Sequence, residues 1–293
     1  MSYSPTQRWD EIERRSLAVG WRWMAVGGVL ALVFTLTPTL GFMGWLLGSL
    51  FHETGHVAFA WYVGCPAWPA ISLTGHAAAF HKPQSDMIVM AMGVFLVVGA
   101  LFAYKHDRFK PLAFGLLAAW PIFTFFETPR ALGFLLSGHM GELVFAGIFL
   151  WRARTGEDIT HEGERPLYAC LGWFLVARNV ALCGGLVFSA SARATYMGNG
   201  SFGLMNDYAR IAHNVLGIPL QAVAVFMLLV ALAVFPIVLA MTWRPERTAP
   251  FPEAPRARAY EPPPAVELDR PRAPAAPPEK RVIPISKVKD RTF

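Results

Sequence analysis

Residues Gly41–Val63 read GFMGWLLGSLFHETGHVAFAWYV. Gly41 to Leu50 carry no charge, and neither do Val57 to Val63, yet His52, Glu53 and His56 stand between them. On a helix, positions i and i+4 leave one face, so both imidazoles can share one Zn²⁺. Glu53 is then placed as general base toward a water on that metal. Ionisable groups at bilayer depth cost about 2.5–3.5 kcal/mol each on insertion scales, so three within one turn call for a reason. The bland alternative is a polar cluster between helices with no metal.

The surroundings of the motif set the fold class. The chain has 293 residues, 54% of them hydrophobic and 16% charged, with mean hydropathy +0.38. Trp23–Phe51 and Asn214–Trp243 hold no Asp, Glu, Lys or Arg, and about 20 apolar residues suffice to cross a bilayer. The expected architecture is all-α: a polytopic transmembrane helical bundle of six to eight crossings, with a re-entrant segment and a disordered C-terminal tail. Spans are expected at 23–40, 42–62, 86–104, 111–127, 131–151, 167–190 and 218–242. Pro38 and Gly41 should divide the first long run, Pro111 should open a helix, and Thr128-Pro129-Arg130 should form a tight turn. Three organisational units follow: a cytoplasmic segment 1–22, a membrane domain 23–243 and a tail 244–293.

Basic residues flank the spans, including Arg8, Arg14, Arg15, Arg22, Arg244 and Arg247. The positive-inside rule then makes both termini, and the 105–110 loop, cytoplasmic. The expected location is a multi-pass protein of a bacterial inner membrane. Met1–Arg22 lacks the short apolar core of a signal peptide. Seven spans would put the termini on opposite sides. The segment that resolves the count is expected to be Cys65–Phe80, CPAWPAISLTGHAAAF, read as re-entrant or partly extended beside the motif helix. Trp21, Trp23, Trp151, Tyr168 and Trp243 suit an interfacial belt.

The tail holds twelve of the 23 prolines and eleven of the 26 Lys and Arg, which cannot build a core. It offers a site for a partner, or a solvated strip near anionic lipid. No aromatic-basic interleaving points to nucleic acid. Cys65, Cys170 and Cys183 show no CxxC spacing and read as small buried hydrophobes.

Zinc needs a third protein ligand. His139 and Glu142, at i and i+3 in Leu136-Ser137-Gly138-His139-Met140-Gly141-Glu142, are candidates by depth, with Glu142 also suited to orienting a ligand from behind. Asp207 is the other candidate; alternatively Asn206 or Asp207 caps a helix, or Asp207 pairs with Arg210. His76 and His81 follow the motif helix and could line the site. His106 and His161 fall in charged loops. Arg178-Asn179 interrupts an apolar run, and a buried arginine there wants Glu142 or Glu127.

HETGH inside an apolar helix, followed by a Gly- and Pro-containing apolar segment, resembles the site-2 protease family of intramembrane zinc metalloproteases. The resemblance covers residues 42–81. It implies zinc on His52 and His56, Glu53 as base, and hydrolysis of peptide bonds in membrane-associated substrates. In that family an Asp-Gly pair supplies the third ligand. No Asp in this chain precedes Gly, which leaves Asp207 as the position of nearest fit and His139-Met140-Gly141-Glu142 outside the family pattern. Two other classes suit parts of the chain: a histidine-box metal oxidase or hydroxylase, and a transporter or scaffold without catalysis. The first usually needs about eight histidines round its metals, and this chain has eight in all, some in loops. The second has no use for Glu53.

Overall fold

The computed structural model describes residues 5–72, 76–105, 110–198 and 206–242. The tail, most of the 105–110 loop with His106, the tip at 73–75 and the glycine-bearing 199–205 stretch lie outside them, as does the side chain of His76. In chain order the elements are α1 (Pro5–Leu36), α2 (Pro38–Tyr62), β1 (Ala67–Ser72), β2 (His76–His81), α3 (Asp86–Ala103) and α4 (Lys110–Phe125). There follow α5 (Glu127–Thr155), α6 (Glu164–Phe188), α7 (Ala190–Gly198), α8 (Asp207–Arg210), a π-helical segment Ile211–Leu216 and α9 (Leu220–Thr242).

Among the described residues, five helices are long and apolar enough to cross a membrane: Ser16–Leu36 of α1, and α3, α5, α6 and α9. The motif helix α2 is not among them, because His52, Glu53, Thr54 and His56 lower its hydropathy. Nor is α4, which has 16 residues. The bundle is apolar outward. α3 buries only Leu96, Ala100 and Ala103 and exposes Met87, Met90, Val94, Phe95 and Leu101. Exposed apolar area on that scale suits lipid as solvent.

Boundaries differ from the sequence expectation where proline was read as a break. Pro38 does open a helix, at its first turn, where its missing N–H costs nothing. Gly41 then lies inside α2 and divides nothing. Thr128-Pro129-Arg130 is not a turn but the first turn of α5, linked to α4 by Phe126 alone, and a proline is tolerated there for the same reason. α1 is continuous from Pro5, so the polar segment expected at 1–22 is helical as far as it is described.

The core sits where α5, α6, α9 and α1 meet, around Leu143, Leu150, Leu175, Leu186, Met227 and Val238. α1 advances along α6 from Ser16 at Arg165 to Gly27 against Ala169. α2 continues in the same sense, with Gly44 against Phe174 and Gly48 against Arg178. The two helices therefore do not form an antiparallel hairpin on α6. Near the far end of α9, Phe235 meets both Trp21 (6.2 Å between ring centroids) and Trp173 (4.9 Å). The C-terminal part of α9 thus lies beside the N-terminal half of the apolar stretch of α1.

The segment expected to be re-entrant or partly extended is a two-stranded antiparallel hairpin, the one departure from all-α structure among the described residues. Its register runs from Ala67 opposite His81 to Ser72 opposite His76. Gly64 adopts φ +85° to leave α2, a conformation that favours glycine. The root is closed by Ser85 N–H donating to Gly64 O (2.9 Å), Lys82 N–H to Pro66 O (2.8 Å) and the Gln84 amide to Val63 O (2.7 Å). A small second core of Ala60, Val63, Cys65 and Ala67 with Phe59 and Phe134 holds the root against α5.

α2 crosses α5 antiparallel on small residues. Phe51 packs on Phe145 and Phe149, and Phe59 on Phe134. Between these contacts, Gly55 faces the backbone of Ser137 and Gly141, and Gly138 faces the imidazoles of His52 and His56. A methyl group at Gly55 would overlap the Ser137 carbonyl. Gly55→Leu is expected to cost about 1–3 kcal/mol by overpacking and to lower bound metal, read by thermal unfolding and metal content in detergent. A variant with unchanged melting and metal content would show that the crossing tolerates bulk.

Candidate metal centre

Four elements build the site. α2 supplies His52, Glu53 and His56. α5 supplies Phe134, Ser137, His139 and Glu142. α6 supplies Arg178 and Asn179, and α8 supplies Asp207.

The helical spacing delivers both imidazoles to one face, with ring centroids 4.7 Å apart. What fixes their chemistry is the partner of each Nδ1. His52 Nδ1 lies 2.9 Å from Glu142 Oε1. His56 Nδ1 lies 2.7 Å from the Phe134 carbonyl and 3.1 Å from Ser137 Oγ. A carboxylate and a carbonyl only accept, so each Nδ1 carries its hydrogen and donates it, which in the neutral imidazole leaves the lone pair on Nε2. The two Nε2 atoms are 3.1 Å apart. Asp207 Oδ2 lies 3.3 Å from His52 Nε2 and 3.2 Å from His56 Nε2. With both imidazoles neutral, three acceptors converge on one point, an arrangement that a proton or a metal cation among them would satisfy. Bonds of about 2.0–2.1 Å in a tetrahedral zinc site set ligand atoms about 3.3–3.4 Å apart, close to these separations. The residues present therefore fit zinc: two neutral imidazoles and one carboxylate, with a fourth position left for water.

Of the three residues proposed for the remaining position, the structure brings Asp207 to the Nε2 side of both histidines. Asn206 takes the N-cap position of α8, which leaves the Asp207 carboxylate to face the histidines instead of capping. Asn206 also donates its amide to Tyr196 O (2.6 Å), tying the start of α8 to α7. Tyr208, fully buried, lies with its ring 4.3 Å from that of His139. Behind it the π-helical segment ends at Gly217, φ +63°. Such insertions concentrate at functional sites.

Glu142 stands on the other side of His52. It is fully buried, and it accepts from His52 through Oε1 and from Asn179 Nδ2 through Oε2 (2.6 Å). This is the arrangement by which a carboxylate orients a ligating histidine from behind. Of the two acids suggested for Arg178, it is Glu142 that lies nearby, 3.8 Å from Nε. His139 lies alongside. Its ring meets His52 edge-on at 4.6 Å, and it offers a nitrogen within 4.8 Å of the nearest ligand atoms of His52 and Asp207. Its Nδ1 is buried with no hydrogen-bond partner among the described residues.

Glu53 is 7% exposed and lines both cavities that meet at the histidines. One, of about 680 Å³, lies toward α6 and α7. The other, of about 530 Å³, lies toward β2, α5 and the π-helical segment. His81 is exposed, stacks on Phe134 at 4.8 Å and lines the second cavity. His161 and His213 are exposed. Sequence reasoning missed Phe134, whose role is played by a carbonyl, and Tyr208, whose neighbours come from three elements. Neither leaves a residue-type signal.

No family model, curated protein or solved structure matches the chain.

The two carboxylates are separable by experiment. Asp207→Ala should abolish stoichiometric zinc binding, whereas Glu142→Ala should weaken it about 10–100-fold, the usual effect of losing a partner behind a ligating histidine. Zinc titration against a competing chelator reads both. The reverse ranking would move Glu142 into the coordination shell.

Proposed function

We propose that the chain is an intramembrane zinc metallopeptidase hydrolysing peptide bonds of membrane-associated protein or peptide substrates. The observation that carries this reading is the convergence of His52 Nε2, His56 Nε2 and Asp207 Oδ2 beside Glu53, with both Nδ1 atoms committed to acceptors behind them. Bound there, Zn²⁺ would polarise a scissile carbonyl and acidify a water. Glu53 accepts the proton of the attacking water and returns it to the leaving amine nitrogen. Glu142 and the Phe134 carbonyl hold the imidazoles in the tautomer that presents Nε2 throughout.

A peptide must be extended for its backbone to reach such a site. The hairpin supports that requirement: Ala77, Ala78 and Ala79 of β2 line the 530 Å³ cavity with small side chains. β2 pairs with β1 along one edge, and in this reading its other edge receives a substrate strand. In this reading the chain crosses a bacterial inner membrane in six passes, α1 and α2 sharing the first. The Phe235–Trp21 contact supports having both termini on one face, which the flanking arginines make cytoplasmic.

The histidine-box reading draws less support. His81, His161 and His213 are exposed, and none belongs to the cluster of His52, His56, His139 and Asp207.

Metal analysis of detergent-purified protein tests the proposal. Wild type and Glu53→Gln should each hold one zinc per chain, with proteolysis lost only in the variant; iron, or no metal, discards it. Strand addition is tested by Ala77→Pro and Ala78→Pro. Successive residues direct their N–H groups to opposite edges, so one of the two removes an outward donor. With zinc retained, cleavage should fall in that variant and not equally in both. Full cleavage in both would end the strand-addition idea while leaving the metal site intact.

A further inference from the structure

The larger cavity contains a charge that the proposed peptidase mechanism does not use. Arg178 stands in the apolar helix α6, fourteen residues after its start at Glu164. A guanidinium at that depth is costly and marks function or a buried partner. The nearest carboxylate is Glu142, but both its oxygens are already engaged, Oε1 by His52 at 2.9 Å and Oε2 by Asn179 at 2.6 Å. Arg178 Nε stands 3.8 Å from Oε2, an ion-pair distance longer than a hydrogen bond. A counterion role thus accounts for one edge of the guanidinium. The side chain is seated against Gly48 of α2, one turn before His52, where a methyl group would overlap it. It is nevertheless 34% exposed, and it lines the 680 Å³ cavity together with His52, Glu53 and Asp207. Ser49, Ser191 and Thr195 line the same cavity and add hydroxyls to its wall.

We propose that Arg178 binds a carboxylate of the peptide substrate and thereby sets which bond reaches the metal centre. The proposal rests on the peptidase reading and names the substrate's chemistry. The planar fork of a guanidinium matches a carboxylate through two parallel hydrogen bonds. Glu142 bridges the space between Arg178 and His52. The guanidinium therefore stands no more than about 11 Å from the metal-facing nitrogen, a span of about three extended residues. The carboxylate belongs either to the chain end, which makes the enzyme trim termini, or to an Asp or Glu close to the scissile bond.

Binding to the zinc-loaded Glu53→Gln protein in detergent decides between these outcomes. Three labelled apolar decapeptides serve as probes: one with a free C-terminus, its C-terminal amide, and the amide with one Glu three residues from its end. Fluorescence anisotropy should give one or both acids a Kd about tenfold below that of the neutral amide. Whichever acid gains identifies the source of the carboxylate. Adding Arg178→Gln should equalise the three by weakening the acids only, and Arg178→Lys should keep part of the preference. Equal affinities in Glu53→Gln overturn the proposal, as does a preference that survives Arg178→Gln. Should Arg178→Gln fail to hold zinc, the lysine variant decides: an undiminished preference there overturns the fork. With wild type and zinc, cleavage of all three peptides at equal rates also overturns it and leaves the peptidase reading standing. Cleavage of none, with Arg178-dependent binding intact, removes the peptidase reading and leaves the carboxylate site.

Discussion

The His52 Nδ1–H bond to Glu142 depends on α2 and α5 touching without intervening side chains, and much of the site follows from that approach. Glycines 55, 138 and 141 remove the Cβ atoms that would hold the helices apart. In lipid no hydrophobic force drives helices together, so close packing and interhelical hydrogen bonds must do so. Here the two coincide. The contact that lets the helices approach also puts a buried carboxylate behind one ligand and a main-chain carbonyl behind the other. Removing one partner from such a buried network leaves the other uncompensated, which costs far more than the contact contributes net.

Three carboxylates take three roles according to which atom each faces. Asp207 meets the lone-pair side of both imidazoles. Glu142 meets the N–H side of one. Glu53, adjacent in sequence to His52, meets neither ring as an orienting partner and looks into both cavities. In the proposed function the same group would serve as ligand, support and base because three helices present it from different directions.

The motif was legible because helical periodicity alone puts His52 and His56 on one face. Glu142 and Arg178-Asn179 were legible as polar interruptions of apolar runs, which bilayer energetics make conspicuous. The choice among His139, Glu142 and Asp207 was not, since it depends on which side of an imidazole a carboxylate approaches, a property of helix packing. Asn206 and Asp207 are both good caps, and only the fold assigns the cap to the first and frees the second. The hairpin was half legible: Pro66 and Pro69 forbade a helix, but pairing is non-local and Cys65–Phe80 shows no clear two-residue alternation. That α1 and α2 advance along α6 in one sense is likewise encoded by no local pattern.

The order of the ligands along the chain has a consequence for biosynthesis. His52 and His56 leave the ribosome early, and their supports Phe134 and Glu142 emerge midway. Asp207 comes late, on a four-residue helix just before the last long apolar segment. A nascent chain that has inserted everything up to α6 holds both imidazoles and His139 but lacks Asp207, the carboxylate proposed as third ligand. The His52–His56–Asp207 cluster is thus completed only when the last part of the bundle arrives, so an unfinished polypeptide presents Glu53 beside two imidazoles that still lack their carboxylate partner.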